Sequence, residues 1–461
     1  MAEIVAEAEV RLWGETVGAV VELDSGRIVF EYADAFRRSG LEISPIHLPL
    51  SLTGPMSFEE LRNSPAFEGL PGVLADALPD RFGNQVIRAY FEARGESERA
   101  LSPVQRLLYV GERAIGALTF HPAEQIPSRP AEMESLEIAR LVDDARRIVE
   151  GEPDVAIPEI YRMSSSAGGM RPKAVVQYNP ASGEIRSGYA PSQPGDVPAL
   201  LKFDGVATAA SGPAGRRLAG RELDEPLPFN RVEAAYMRMA RAAGIDAADV
   251  EVLAAGGYAH LIVPRFDLMD ARLGATEGAT EGAPAAESQG IARVETRLHQ
   301  HTLGGLIHVD YNFPGASSYE EYLRTILLLG MPQASVEEGF RRMVFNIMAV
   351  NQDDHVKNLS FHMRPDGRWS LAPAYDITFV HGRRYTAQHQ MRVQDKTSGI
   401  TRDDLLAVAE IFDIRKAARM ITAARDVLDE WETFARQADV ELGKVEQVRE
   451  ELDVRAEGMG G

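Results

Sequence analysis

The chain has no cysteine among its 461 residues. That excludes disulfides, zinc–thiolate centres and thiol chemistry. It also lacks any apolar run approaching the roughly 20 residues needed to cross a bilayer. The opening stretch MAEIVAEAEVRLWGE has neither a basic region nor an apolar core of signal-peptide length. Basic charge is short as well: 49 Lys and Arg against 69 Asp and Glu give a formal net charge of −20. Phosphate backbones are bound by concentrated positive faces, so a general nucleic-acid binder is excluded, although a local basic patch is not. What these absences leave is a cytoplasmic protein with no membrane partner. Hydrophobic residues at 45% and charged residues at 26% are ordinary for a globular chain. The length exceeds one simple core, so two or three packed units are expected.

The pattern along the chain divides in three. Residues 1–125 read as a small α+β unit. AVVELDSGRIVFEYA predicts a hairpin across Leu23 to Gly26, and LLYVGERAIGALTFHP predicts a second around Gly111. PGVLADALPDRFGNQVIRAYFEA reads as helical after its prolines. Prolines 127 and 130 mark a boundary, followed by an amphipathic helix closing at Gly151. Residues 126–295 are strand-rich: KAVVQYNPASGEIRSGYA is a hairpin, PALLKFD and AHLIVPRFDL are strands, and NRVEAAYMRMARAAGI is a helix closed by Gly244. Ala275 to Gly290 is a low-complexity insert. Residues 296–461 are mostly helical, with VEEGFRRMVFNIMAV carrying an apolar face and Thr401-x-x-Asp404 a capping pattern.

Inside that helical third stands FNIMAVNQDDHVKNLSFHM, an apolar run that stops at Asn351, Gln352, Asp353, Asp354, His355, Lys357 and Asn358. Asp353 precedes Asn358 by five positions, and LSFHM-RPDG-RWSLAP then forms a hairpin that delivers Asp376 in APAYDIT. Phosphoryl transfer asks for this layout. One carboxylate orients the attacking hydroxyl, while an amide and a second carboxylate hold the magnesium that bridges the phosphates. The loop has to be polar to hold a triphosphate and needs a helix behind it, since misplacement by about 1 Å costs on the order of 100-fold. The bland alternative is a solvated loop capping a buried helix. Asp353 takes the base position, leaving Asp354 structural or exposed. His355 sits beside the phosphates or braces the loop, and Lys357 is near the γ-phosphate or simply solvated.

Upstream, SSSAGGMRPKAVV (Ser164 to Val176) is Gly- and Ser-rich and precedes a strand. Successive amides of such a loop cradle phosphate oxygens, although a plain hairpin connection uses the same residues. It is neither a Walker A sequence nor a G-x-G-x-x-G run. Lys202 is a lone charge in an apolar strand, which is costly unless paired. Glu233 is a candidate partner, while Asn230-x-x-Glu233 also reads as a capping box. VPRFDL ends a strand where backbone groups can meet an adenine edge, or it is an ordinary strand end.

Taken in order, SAGGMRPK, LLKFD, PRFDL, NQDDHVKNLSF and APAYDIT resemble the HipA family of serine/threonine protein kinases, the toxins of bacterial toxin–antitoxin pairs. FEGLPGVLADALPDRFGN and VGERAIGALTF likewise resemble the small α+β domain that precedes the kinase core in that family. The resemblance implies an α+β fold: a two-lobed, protein-kinase-like core with a small N-terminal α+β domain, a strand-rich lobe and a helical lobe. It implies ATP and Mg2+ in the cleft. Asp353 matches the catalytic base, and Asn358 and Asp376 match the metal ligands. His355, Val356, Lys357 and Tyr375 lie beside the nucleotide. Lys202 matches the ATP-phosphate lysine. Gly168, Gly169, Met170, Arg171, Pro172 and Lys173 match the phosphate loop, and Pro264, Arg265 and Phe266 the hinge. Ser166, seven residues before Lys173, matches by spacing the serine autophosphorylated in the family, with Ser164 and Ser165 beside it. GGMRP departs from the Ala-Gln-Glu form that some members carry in this loop.

The resemblance further implies a protein substrate, an aminoacyl-tRNA synthetase being the known kind. It also implies a HipB-like helix-turn-helix antitoxin, with operator DNA reached only indirectly through it. Two other readings compete: a small-molecule kinase on the same scaffold, and a catalytically silent component of a DNA-bound repressor complex. All the matched base and metal residues are present, which favours an active enzyme.

Overall fold

A computed structural model describes residues 3–93, 101–124, 136–150, 172–206, 229–270 and 295–459. The chain opens on three antiparallel strands, β1 (Ile4–Leu12), β2 (Glu15–Leu23) and β3 (Ile28–Tyr32), joined by β4 (Leu118–His121) in the order β3-β2-β1-β4. Alternation builds this sheet: Ala8, Val10 and Leu12 of β1 and Ile28, Phe30 and Tyr32 of β3 are buried, with the more exposed Glu9, Arg11, Val29 and Glu31 between them. Helix Pro103–Val110 covers the buried face through Val104, Leu107 and Val110. The first predicted hairpin is therefore present. The second is not, because the stretch before Gly111 is this helix. Ser102 and Gln105 form a reciprocal capping box and Pro103 sits in the first turn. Those local helix-start signals outweigh the β-like composition of LLYV.

The second sheet is antiparallel, in the order β6-β5-β7-β9-β8. Its strands are β5 (Lys173–Tyr178), β6 (Ile185–Ser187), β7 (Val197–Lys202), β8 (Glu251–Ala255) and β9 (Tyr258–Pro264). Register gives each face a separate task. Ala174, Val176, Ala199 and Leu201 pack under helices Arg81–Ala93 and Ile138–Glu150. The opposite parity carries Lys173, paired across the ladder with Lys202, together with Leu200 opposite Val175. Helix Phe229–Ala242 lies beside this second face and belongs to the largest core, shared with the helical half.

Beyond the sheet, β10 (Leu268–Asp270) pairs with β11 (Glu295–Arg297). Next, β12 (His299–Thr302) pairs with β14 (Ser360–Met363), which continues into β15 (Trp369–Leu371) through the Pro-Asp-Gly turn expected from sequence. The short β13 (Ser317–Ser318) runs parallel to β16 (Met391–Arg392). Helix Gln333–Met348 runs through the centre with Phe340, Met343, Val344 and Ile347 fully buried. Helices Arg402–Ile411, Ala417–Asp429, Trp431–Gln437 and Leu442–Gly458 complete this half, and Thr401 makes the expected capping box with Asp404. The insert from Ala275 to Gly290 lies outside the described residues.

The first sheet's domain docks on the rest through polar contacts. The Trp13 indole donates to the Arg297 carbonyl at 2.6 Å, and the Gly116 amide donates to Asp267 at 2.8 Å. Ser64 donates to Asp310 at 2.6 Å, and the Gly72 amide to His308 Nε2 at 3.0 Å. These bonds place one end of the small domain over the mouth between the two larger halves.

Candidate active site

That mouth is a cleft with about 940 Å3 of empty space. Its floor is the free face of the second sheet, with Lys173, Leu200, Lys202 and Val263. Glu233 and Met237 come from the helix beside it, Lys357, Tyr375 and Asp376 from the helical half, and Val73, Asp76, Ala77, Ile115, Ala117 and Leu118 from the small domain.

Lys202 is the electrostatic centre. Its Nζ donates to Glu233 Oε1 at 2.5 Å and to Asp376 Oδ1, so one ammonium bridges the sheet, the helix and the helical half. Burial favours the neutral amine, but Asp376 and Glu233 more than offset it and raise the pKa. The choice between capping and pairing at Glu233 is settled as pairing. Asn230 lies within the helix, and its amide donates to the carbonyls of Lys202 at 3.2 Å and Ala259 at 3.0 Å, tying helix to strand.

Asp376 reaches Lys202 from a backbone with φ of +54°. Left-handed backbone at a residue with a side chain is strained and concentrates at functional sites. Tyr375 fixes the turn, its hydroxyl meeting Ser360 Oγ at 2.5 Å and the Lys357 carbonyl at 2.8 Å. The Tyr375 ring stacks on Phe266 at 5.5 Å, and both line the cleft. Pro264 and Arg265 lie outside the lining: Arg265 forks onto buried Asp267 at 2.9 and 2.5 Å. Asp267 is held below the usual carboxylate range, because Arg265 overcomes the effect of burial.

The Asp353 to Asn358 loop follows helix Gln333–Met348. Asp353 keeps 39% of its side chain exposed, while that of Asp354 is fully enclosed. Asp354 accepts from the Tyr319 hydroxyl at 2.9 Å, His389 Nδ1 at 3.0 Å and the Gln390 amide at 2.7 Å. It is a structural anchor. Asn358 Nδ2 donates to the Asp353 carbonyl at 3.0 Å, closing the loop on itself. His355 is buried, with Nε2 3.9 Å from Asp353 Oδ1 and its ring packed on Tyr311 at 5.2 Å. His355 and Asn358 line a smaller cavity behind the loop rather than the main cleft. Val356 is a packing residue at 3% exposure. Lys357 enters the cleft with its ammonium 5.5 Å from the Tyr311 ring centre.

Lys173 is the third cleft lysine, 3.3 Å from Asp80 Oδ2 with both side chains almost enclosed. Pro172 precedes it at the strand start. Gly168 to Arg171 and Ser164 to Ser166 lie outside the described residues. Sequence reading missed the two acids of the small domain, Asp76 and Asp80. Asp76 accepts from His301 Nδ1 at 2.6 Å and from Thr302, through its amide and its hydroxyl, at 2.7 Å each. A signal for it was available, since Asp76 is a lone charge in the apolar run GVLADAL. Such a charge needs a partner.

Comparison with known proteins gives the family and the fold. The family model for the HipA-like C-terminal domain matches residues 165–450, and that for the HipA N-terminal domain matches residues 8–121. The chain belongs to the HipA family. A relative from Sinorhizobium fredii (strain NBRC 101917 / NGR234) named "Putative kinase Y4dM" is 23% identical over 97% of this chain and 96% of its own. A second from the same organism, "Putative kinase Y4mE", is 24% identical over 53% of this chain and 50% of its own. Among solved structures, the Shewanella oneidensis MR-1 toxin–antitoxin HipA in complex with HipB and operator DNA superposes with a TM-score of 0.65. The two chains are 17% identical, covering 98% of this chain and 97% of that one. The fold is thus the two-lobed, kinase-like HipA fold expected from the sequence.

Proposed function

We propose that this HipA-family chain is an ATP-dependent serine/threonine protein kinase acting as a growth-arrest toxin. The observation that carries the reading is Lys202, held between Glu233 and Asp376 at the floor of a cleft. A strand lysine paired to a helix glutamate beside a metal-binding aspartate is the arrangement that protein kinases use on ATP phosphates. The apolar lining of Leu200, Val263, Met237 and Val250 offers a purine an apolar surface. Asp376 and Asn358 suit Mg2+, which is usually bound through one or two protein side chains together with substrate phosphates. When bound, Mg2+ would neutralise charge on the phosphates.

The chain's own residues do the rest. Lys202 would orient the phosphates, and Asp376, which pairs with Lys202, would be the carboxylate that holds the metal. Asp353, half-exposed on a loop fixed by Asn358 and by the Asp354 anchor, accepts the hydrogen bond of the substrate hydroxyl. It takes that proton as the oxygen attacks the γ-phosphorus, leaving ADP and a phosphorylated side chain. His355 braces Asp353 from behind. Ser166 is the proposed autophosphorylation site, and Gly168 to Lys173 the phosphate loop.

The solved neighbour's complex with HipB and operator DNA supports a HipB-like helix-turn-helix antitoxin as partner, with DNA reached through it. An aminoacyl-tRNA synthetase is the proposed substrate class and the cytoplasm the proposed location. Among the described residues no helix is long and apolar enough to cross a membrane. The test is phosphoproteomics after brief induction of the wild type against Asp376→Asn. Sites that appear only with the wild type identify the substrate. Absence of any new site, together with no labelling of the chain itself by radiolabelled ATP, overturns the kinase reading.

A further inference from the structure

Two histidines bracket a segment that follows Asp376, and the helix Leu442–Gly458 meets both. Glu451 and Arg455 stand four residues apart on that helix and so share one face. Glu451 Oε2 is 2.8 Å from His381 Nδ1. One turn further on, the Arg455 guanidinium lies 3.5 Å from Nε2 of His389, whose ring is fully enclosed. His389 in turn meets Asp354 through Nδ1 at 3.0 Å. A carboxylate accepts, so Nδ1 is the donor, and Nε2 of the neutral ring is left to accept from Arg455. Between the two histidines, the Tyr385 hydroxyl donates to the Tyr311 carbonyl at 2.6 Å, and the Tyr311 ring packs on His355. Gln390 gives its amide to Asp354 at 2.7 Å and its side chain to the carbonyls of Gln352 at 3.0 Å and Tyr385 at 2.7 Å. The Asp353 to Asn358 loop therefore leans on residues 381–390, and these lean on the helix. The helix is itself fixed. Val448 and Leu452 are buried in the main core, and Arg449 forks onto Glu432 at 2.6 and 2.7 Å.

We propose that Arg455 and His389 are positioning residues of phosphotransfer, through which the C-terminal helix sets the loop that carries Asp353. Arg455 holds the His389 ring, His389 orients the Asp354 carboxylate, and Asp354 fixes the backbone from which Asp353 meets the acceptor hydroxyl. Neither Arg455 nor His389 lines the nucleotide cleft. The relay thus acts on the acceptor side of the reaction and leaves ATP binding alone. Its effect on rate rests on the kinase reading above, whereas the ordering of the loop by the helix stands without that reading.

Two substitutions in the full chain cut the relay at the same joint. Arg455→Met keeps an apolar stem and removes the donors. His389→Asn keeps a donor for Asp354 in the place of Nδ1 and loses the acceptor for Arg455. Transfer of label from radiolabelled ATP to the chain itself gives the rate, calorimetry gives MgATP affinity, and amide hydrogen exchange reports the loop. In each variant the maximal rate falls about tenfold, while MgATP affinity stays within about twofold of the wild type. Exchange speeds up over the Asp353 to Asn358 loop and not over helix Phe229–Ala242. The double variant is no slower than either single one, and Arg455→Lys, which keeps a donor, restores most of the rate. A purely structural defect would lower affinity with rate and would not be rescued. Wild-type rate and exchange in Arg455→Met, affinity falling as far as rate, or independent effects in the double variant overturn the inference. A wild type that transfers no phosphate overturns the kinase reading instead. Exchange then decides the ordering of the loop by itself, and unchanged protection of that loop in both variants overturns it.

Discussion

Asp353 and Asp354 are adjacent in sequence and opposite in setting, and the difference predicts opposite phenotypes. Asp353 is 39% exposed at the loop surface. Its replacement by alanine should abolish phosphotransfer and leave the thermal midpoint within a degree or two of the wild type. Asp354 is enclosed and accepts three hydrogen bonds from two segments, Tyr319 and the adjacent His389 and Gln390. Asp354→Ala strands those donors and should lower unfolding stability by on the order of 3 kcal/mol, since removing a buried charged acceptor leaves each partner unpaired. Denaturant titration and autophosphorylation assays on the two variants separate the roles. A stable Asp354→Ala protein would contradict the anchor assignment. At this scale the sequence was readable where chemistry imposes spacing. The step from Asp353 to Asn358, the hairpin to Asp376 and the lone charge of Lys202 are all local patterns. The direction each side chain takes was not readable: Arg265, quoted with the hinge, turns to Asp267 because a buried guanidinium needs a carboxylate more than a cleft does.

Strands β12 and β14 bring together histidines that no local rule collects. His299 and His362 are buried, His299 donating through Nε2 to the Ile43 carbonyl at 2.8 Å and His362 meeting Gln300 at 3.2 Å. Burial lowers their pKa values to about 3 and about 4. Both fall below the ordinary histidine value of about 6.5, so the unfolded chain takes up protons that the folded chain refuses. Their contribution is complete above pH 6.5 and is lost as pH falls through 6.5 toward 4. With two such groups the slope of unfolding free energy approaches about 3 kcal/mol per pH unit near pH 5. Urea midpoints at pH 7.5 and 5 should therefore differ clearly, and a His299→Asn, His362→Gln variant should show a flatter dependence. Equal wild-type midpoints at the two pH values would mean that these rings are not held neutral. The helix Pro103–Val110 belongs to the same scale. Its four-residue strand-like run LLYV suggests a hairpin, but a capping box that opens five residues ahead of it, at Ser102, decides the element.

At the scale of the molecule, the cleft is assembled from segments far apart in the chain, and that part could not be read from sequence. Asp76 and Asp80 acquire their meaning only when the small domain lands on residues 298–310 and on β5. The closest approach in that landing is between backbones. Helix Gly72–Ala75 crosses helix Leu303–Ile307 so closely that a Cβ on Gly72 would run into the Gly305 carbonyl. On the other side, a Cβ on Gly305 would meet the Asp76 carboxylate and the His301 ring. Neither glycine has a positive φ, so the requirement is space and not backbone freedom. Gly72→Ala must therefore push the two helices apart, and overpacking of this kind costs about 1–3 kcal/mol. The strain falls on the contacts that hold Asp76 to Thr302 and, through the same segment, Asp80 to Lys173. Each half keeps its own core of buried side chains, so the expected result is loosened docking, not global unfolding. Limited proteolysis should cut Gly72→Ala faster between residues 93 and 136, while circular dichroism stays near the wild type and MgATP affinity falls. Wild-type proteolysis and affinity in this variant would mean that the helices can shift without disturbing the cleft. The small domain would then be a separate unit that merely sits beside it.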